Sequence, residues 1–249
     1  MISGIDLIGQ AQTGTGKTAA FGIPILEKVD PKLKKLQAIV LCPTRELAIQ
    51  VADEIRNLSR YMHGIKVLPI YGGQDIVKQI RSLKSGTQIV IGTPGRVMDH
   101  MRRKTMKLDF VHTVVLDEAD EMLGLNFYQD ILQIIEYLSD SRINCLLSAT
   151  INDSIESLSK DILNDPVWII NNDQADQIDQ SFYYTKMEEK VSYLLHILVK
   201  EKPESCIVFA NTRQMVDEIY EQLQSRQISV NKIHGGMLQE DRLRQMNAF

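Results

Sequence analysis

The sequence predicts an α/β domain with a parallel sheet, followed by a second, shorter α/β unit. Short apolar β-rich runs alternate with segments of helical periodicity. The runs are near-continuous in hydrophobicity, as strands buried on both faces of a parallel sheet are. The alternation stops at one polar stretch, "NNDQADQIDQ" from Asn171, and then restarts. These observations divide the chain into a first domain over 1–170, a linker over 171–180 and a partial second domain over 181–249.

In order, "DLIGQ" from Asp6 reads as the first strand, and "KTAAFGIPILEKV" from Lys17 as a helix with a kink at Pro24. Further strands are "QAIVLC" from Gln37, "KVLPIY" from Lys66, "TQIVIG" from Thr87, "HTVVLD" from His112, "NCLLSA" from Asn144 and "PVWII" from Pro166. Helical spacing joins Leu47, Val51, Ile55 and Leu58, and again Phe127, Ile131, Ile134, Ile135 and Leu138. Such alternation implies right-handed crossovers around one sheet. In the second unit the expected strands are "SFYYT", "CIVFA" and "SVNKIH". The expected helices run through Val191 to Val199, from Arg213, and from near Gln239. The last has no stop signal before Phe249, which reads as a truncation.

Composition bounds the function. Of 249 residues, 44% are hydrophobic and 24% charged, the balance of a globular protein. No apolar run approaches the ~20 residues of a membrane span, and no secretory signal opens the chain. A cytoplasmic protein with no membrane contact is expected. Cys42, Cys145 and Cys206 lie in or beside apolar runs and read as buried, reduced thiols. Net charge is −4. Residues 1–165 carry 19 Lys and Arg against 20 Asp and Glu, and residues 166–249 carry 9 against 12. Any nucleic-acid contact must therefore come from local groups. The dense basic clusters are Lys32/Lys34/Lys35, read as a solvated face, and Arg102/Arg103/Lys104/Lys107, which follows a motif treated below.

Chemistry concentrates at strand ends. Ala11, Gln12, Thr13, Gly14, Thr15, Gly16, Lys17 and Thr18 form a glycine-rich loop between a strand and a helix. Such a loop aims backbone N–H groups and a helix dipole at phosphate oxygens. Lys17 would reach the terminal phosphates of ATP, and Thr18 would ligate Mg²⁺. The strict pattern has Gly where Ala11 stands. "VVLDEAD" ends a buried run in carboxylates, which need a metal, a base or hydrogen bonds to compensate them. Asp117 is the candidate Mg²⁺ partner and Glu118 the candidate for activating water. Ser148 and Thr150, in "LLSAT", could bond those carboxylates and relay nucleotide state; a strand end before an N-cap at Asn152 or Asp153 accounts for them equally well.

Taken together these residues resemble the DEAD-box ATP-dependent RNA helicases, in a bacterial form. The matching stretches are "AQTGTGKT", "PTRELA" from Pro43, Gly72-Gly73, "TPGR" from Thr93, "DEAD" from Asp117 and "SAT". In the second unit "IVFANT" from Ile207 and "IHGGMLQEDR" from Ile233 also match, although many relatives carry Asp where Gly236 stands.

The resemblance implies RecA-like P-loop NTPase domains that close on ATP and single-stranded RNA. It implies that Lys17, Asp117, Glu118, Ser148 and Thr150 act in catalysis. It also implies that Pro43, Thr44, Arg45, Glu46, Gly72, Gly73, Thr93, Pro94, Gly95, Arg96, Gln239 and Arg242 face RNA. Backbone donors and arginines there would bind phosphate without reading sequence. Local unwinding of short duplexes by ATP hydrolysis is the implied activity. Nucleotide-dependent RNA clamping is the alternative, and an ATPase acting on DNA or protein a third reading. Protein partners are not readable from the sequence. Family members carry an adenine-reading Gln upstream and arginine-bearing motifs downstream, neither of which is in this sequence. Since arginine fingers contribute ~10³–10⁵ in rate, slow hydrolysis by this chain is expected.

Overall fold

The structure is a computed structural model and describes residues 1, 3–12, 14–171 and 179–249. Thr13 and most of the expected linker therefore lie outside the described residues. The chain divides into two compact units, Met1–Gln174 and Ala175–Phe249.

The first unit is built on a sheet of seven strands in the order β3-β4-β2-β5-β6-β1-β7, every pair parallel. The strands are β1 (Leu7–Gln10), β2 (Ala38–Leu41), β3 (Val67–Ile70), β4 (Ile89–Gly92), β5 (Thr113–Leu116), β6 (Ile143–Ser148) and β7 (Val167–Ile170). Each coincides with a run expected from hydrophobicity. β2, β4, β5 and β6 are buried along their whole length. The edges behave differently. β3 carries Pro69, which an edge strand tolerates because it need not donate on its outer side. β7 exposes every residue, Trp168 included.

Helices α1 (Lys17–Lys28), α2 (Arg45–Leu58), α3 (Ile76–Lys84), α4 (Pro94–Arg102), α5 (Ala119–Gly124), α6 (Tyr128–Glu136) and α7 (Asp153–Ile162) link the strands. α1 runs on through Pro24 for another turn. Two cores lie on opposite faces of the sheet. One joins Ile39, Leu41, Val114 and Leu116 to Val97, Ile131, Ile134 and Leu158. The other joins Val40, Ile91 and Val115 to Phe21, Ile25, Val51 and Ile55. Each fully buried aliphatic side chain contributes roughly 1.5–3 kcal/mol by leaving water.

Burial also includes polar ties that periodicity did not signal. Asp6 is buried and accepts from the backbone N–H of Asn144 (2.7 Å), the Asn144 amide (3.0 Å) and the N–H of Asn164 (2.8 Å). It pins the start of β1 to β6 and to the turn before β7.

The second unit contains α8 (Lys190–Glu201), α9 (Arg213–Ser225) and α10 (Gln239–Ala248), where helices were expected. The three expected strands do not form among the described residues. "SFYYT", "CIVFA" and "SVNKIH" have β-forming side chains but no ladder of strand hydrogen bonds, and Phe182, Ile207 and Phe209 are exposed. Propensity alone does not make a strand; a paired neighbour does. The same segment corrects the cysteine expectation. Cys42 and Cys145 are buried, but Cys206 is exposed with the run that it opens.

Candidate functional site: the carboxyl edge of the sheet

The strand order sorts the predicted residues. β5, β6 and β1 are adjacent, and their carboxyl ends carry the DEAD carboxylates, Ser148–Thr150 and the glycine-rich loop. β3, β4 and β2 form the other half of the same edge and carry Gly72-Gly73, Thr93–Arg96 and Pro43–Glu46.

On the first half, the loop leaves β1 and is fastened to β6 where the Ala11 N–H donates to the Ser148 carbonyl at 3.1 Å. Gly14 and Gly16 both sit at φ +86°, the left-handed region that L side chains resist, so glycine is required there. Gly16 is the N-cap of α1 and offers no side-chain cap, and the first-turn N–H groups of such a helix start suit an anion. The Thr15 hydroxyl donates to the Gln12 carbonyl at 2.7 Å, and the Lys17 ammonium to the Ala11 carbonyl at 2.9 Å. Lys17 thus folds across the loop it would share with a phosphate. Thr18 follows it in the first turn of α1.

Asp117 directly follows β5. It is buried, and its Oδ1 makes no hydrogen bond among the described residues. Burial pushes its carboxyl up to about 6; the Lys17 charge opposes this and the neighbouring Glu118 adds to it. A buried carboxylate with an unsatisfied oxygen beside an ammonium fits a divalent cation. Among the described residues, no group of three or more His, Cys, Asp or Glu forms a metal cage. Glu118 is held at φ 53°, ψ 54°, an unusual conformation for a non-glycine residue and of order 1–3 kcal/mol in strain.

Asp120 reaches β6. Its Oδ2 accepts from the Thr150 N–H (2.9 Å) and the Thr150 hydroxyl (2.8 Å). Partial burial works against its ionisation, but these donors hold its carboxyl below the usual range. The Ser148 hydroxyl donates to the Thr150 carbonyl at 2.7 Å, shaping the same turn. Asn152 then caps α7 by accepting from the Ile155 N–H at 3.0 Å. Hydroxyl-to-carboxylate bonding and helix capping therefore coexist.

On the second half, Thr44 caps α2 by accepting from the Leu47 N–H (3.2 Å), which puts Arg45 and Glu46 in the first turn. Pro43 is buried behind them. The Arg45 guanidinium lies over the glycine pair: a Cβ on Gly73 would fall 2.5 Å from its Nη1, and one on Gly72 3.3 Å from its Nη2. Thr93 is the N-cap residue of α4, without a side-chain cap bond, and Pro94 follows at the first position; both are buried, whereas Gly95 is exposed and a Cβ there would meet almost nothing. Arg96 donates to the Gln74 carbonyl at 3.1 Å. Three sequence motifs thus converge on one loop.

The second unit holds Gln239 at the start of α10 and Arg242 one turn on. It also contains a device that sequence reasoning missed. Thr212 caps α9 by accepting from the Met215 N–H (3.1 Å), and Arg213 lies against Gly235, where a Cβ would fall 3.4 Å from its Nη2. This repeats the Thr44, Arg45 and Gly72-Gly73 arrangement. The "NTR" of the second unit beside the "PTR" of the first was the available signal.

The DEAD/DEAH box helicase family model matches residues 1–158, and the helicase conserved C-terminal domain model matches residues 189–249. The chain belongs to the DEAD/DEAH box helicase family. As a member of it, the chain is 45% identical to the DEAD-box ATP-dependent RNA helicase CshA of Geobacillus kaustophilus, over 98% of this chain and 53% of that protein. It is 44% identical to CshA of Bacillus subtilis, over 100% and 51%. The chain thus spans about half the length of the curated relatives it matches. Among solved structures, a DEAD box protein from Methanococcus jannaschii matches with a TM-score of 0.66 at 38% identity, covering 98% of this chain and 66% of that one. S. cerevisiae Dbp5 bound to Gle1 and IP6 matches with a TM-score of 0.72 at 29% identity, covering 98% and 61%. The parallel sheet flanked by helices is the RecA-like P-loop architecture that the resemblance implied.

Proposed function

We propose that the chain is the ATP-binding core, with part of the second domain, of an ATP-dependent RNA helicase that binds single-stranded RNA and opens short duplexes locally. The observation that carries the reading is the division of one sheet edge into a phosphate-and-carboxylate half and an arginine-and-glycine half. The names of the curated relatives support it. A cytoplasmic location accords with the absence, among the described residues, of any helix long and apolar enough to cross a membrane.

In this reading Gly14–Thr18 cradle the phosphates of ATP, with Lys17 exchanging the Ala11 carbonyl for a phosphate oxygen. Thr18 and Asp117 hold Mg²⁺. The ion, when bound, neutralises phosphate charge. Glu118 orients and deprotonates the attacking water, and Asp120 with Thr150 and Ser148 transmits what happens there along the edge. Thr44, Arg45, Glu46, Gly72, Gly73 and Thr93–Arg96 grip the RNA backbone, with Pro43 packed beneath, and Gln239 and Arg242 add contacts from the second unit. Backbone grip is insensitive to sequence and falls steeply with salt. A bent strand cannot stay paired, so binding itself separates a short duplex.

Titration of the chain with a fluorescent ATP analogue and with labelled oligouridylate, each with and without Mg²⁺, tests the reading. Mg²⁺-dependent nucleotide binding and salt-sensitive RNA binding are expected. Binding of double-stranded DNA in preference to RNA would contradict it.

A further inference from the structure

Two buried polar side chains lie behind the arginine-and-glycine half of the edge. Gln79 on α3 is 1% exposed, and His100 on α4 is 0% exposed. The Gln79 amide donates to the Tyr71 carbonyl (3.1 Å) and to the Gln74 side-chain oxygen (2.8 Å). With both its donors committed, its own oxygen faces His100 Nε2 at 3.0 Å, so that nitrogen carries the imidazole proton. His100 Nδ1 is then an acceptor, and the Thr105 hydroxyl, 2.8 Å from it and 3.1 Å from the His100 carbonyl, shares its one proton between the two. A buried imidazole with one donor and one acceptor satisfied is neutral, and burial, with the Arg96 charge, lowers its pKa.

These bonds end on one place. Tyr71 and Gln74 flank Gly72-Gly73, and Gln74 is the residue whose carbonyl Arg96 holds from outside. The loop is therefore clamped from the interior by Gln79 and from the surface by Arg96, while Arg45 lies over its glycines. Apolar residues at 79 and 100 would fill this core without the cost of desolvating an amide and an imidazole. A fully satisfied polar network fixes geometry in a way that apolar packing does not.

We propose that Gln79 and His100 are positioning residues for single-stranded nucleic acid, fixing the Gly72–Gln74 loop so that its backbone and the two arginines present one phosphate-binding surface. This rests on the assignment of that half of the edge to RNA.

The test compares His100→Leu, which removes the donor, with His100→Gln, whose amide can still supply one, and adds Gln79→Leu as an independent disruption. Three quantities are measured: affinity for labelled oligouridylate, affinity for a fluorescent ATP analogue, and amide hydrogen exchange at Gly72–Gln74 and in β2. The two leucine variants should weaken RNA binding roughly tenfold, the scale of one buried hydrogen bond. They should also speed exchange at Gly72–Gln74, with nucleotide affinity and β2 exchange unchanged. His100→Gln should stay near the parent. Equal loss in His100→Leu and His100→Gln, unchanged RNA binding in both leucine variants, or a parallel fall in nucleotide affinity would overturn the proposal. Failure of the parent chain to bind RNA would overturn the RNA assignment itself; loop exchange would then still decide whether His100 and Gln79 hold the loop.

Discussion

Thr150 gives both its N–H and its hydroxyl to one oxygen of Asp120, at 2.9 and 2.8 Å. The pair joins the turn after β6 to the helix that starts after β5. It links the carboxylates to the turn after β6, and its strength depends on Asp120 being ionised.

Thr150→Val removes one of the two donors and keeps the backbone one. The Asp120 pKa should rise toward the ordinary carboxylate value, read by NMR titration. Because the folded-state pKa is depressed, the bond's contribution is present above the unfolded value of 3.8 and is lost as pH falls through the folded value. The variant should therefore be less stable than the parent by about 1 kcal/mol near neutrality, and the difference should close below about pH 4.

Asp117 carries the opposite sign. Its folded-state pKa of about 6 lies above the unfolded 3.8, so the nucleotide-free protein loses stability as pH rises between them, by on the order of 3 kcal/mol. Asp117→Asn should raise the melting temperature of the first unit at pH 7.5. That advantage should vanish below about pH 4, and the substitution should abolish Mg²⁺-dependent nucleotide binding. Calorimetry across pH checks the sign.

Lys17→Ala removes the ammonium that lies across the loop. Nucleotide affinity should fall by at least roughly tenfold, the size of one lost charge-assisted contact. RNA binding in the absence of nucleotide should persist. Isothermal titration with each ligand measures both.

Gly73→Ala meets two obstacles. The φ of +84° costs an L residue roughly 1–2 kcal/mol, and the new Cβ would fall 2.5 Å from Arg45 Nη1, displacing the guanidinium. RNA affinity should drop while nucleotide affinity holds. Fluorescence anisotropy with oligouridylate, set against a nucleotide titration, reads the split.

The strands of the first unit were legible because parallel strands buried on both faces leave continuous apolar runs, and the cradle was legible because Gly14 and Gly16 meet a backbone need. Strand order was not. Crossover connections do not say which strands become neighbours, so the sorting of motifs into two halves of the edge emerged only from the pairing of β1 with β6 and of β2 with β4 and β5. Asp6, Gln79 and His100 escaped for another reason: buried polar residues are justified by partners distant in sequence. Gln79 on the apolar side of α3, between Ile76 and Leu83, was the one local hint. The strands of the second unit failed because a run such as "CIVFA" states a propensity, and pairing decides whether it is met.

The most direct measurement is a map of backbone amide shifts in the isotope-labelled chain, recorded with Mg²⁺ and a non-hydrolysable ATP analogue and, separately, with oligouridylate. The account predicts two separate patches in the first unit. Nucleotide should move Gly14–Thr18, Asp117–Asp120 and Ser148–Thr150, while RNA should move Thr44–Glu46, Gly72–Gln74 and Thr93–Arg96. Both ligands moving the same patch, or RNA leaving the Gly72–Gln74 amides unmoved, would contradict it.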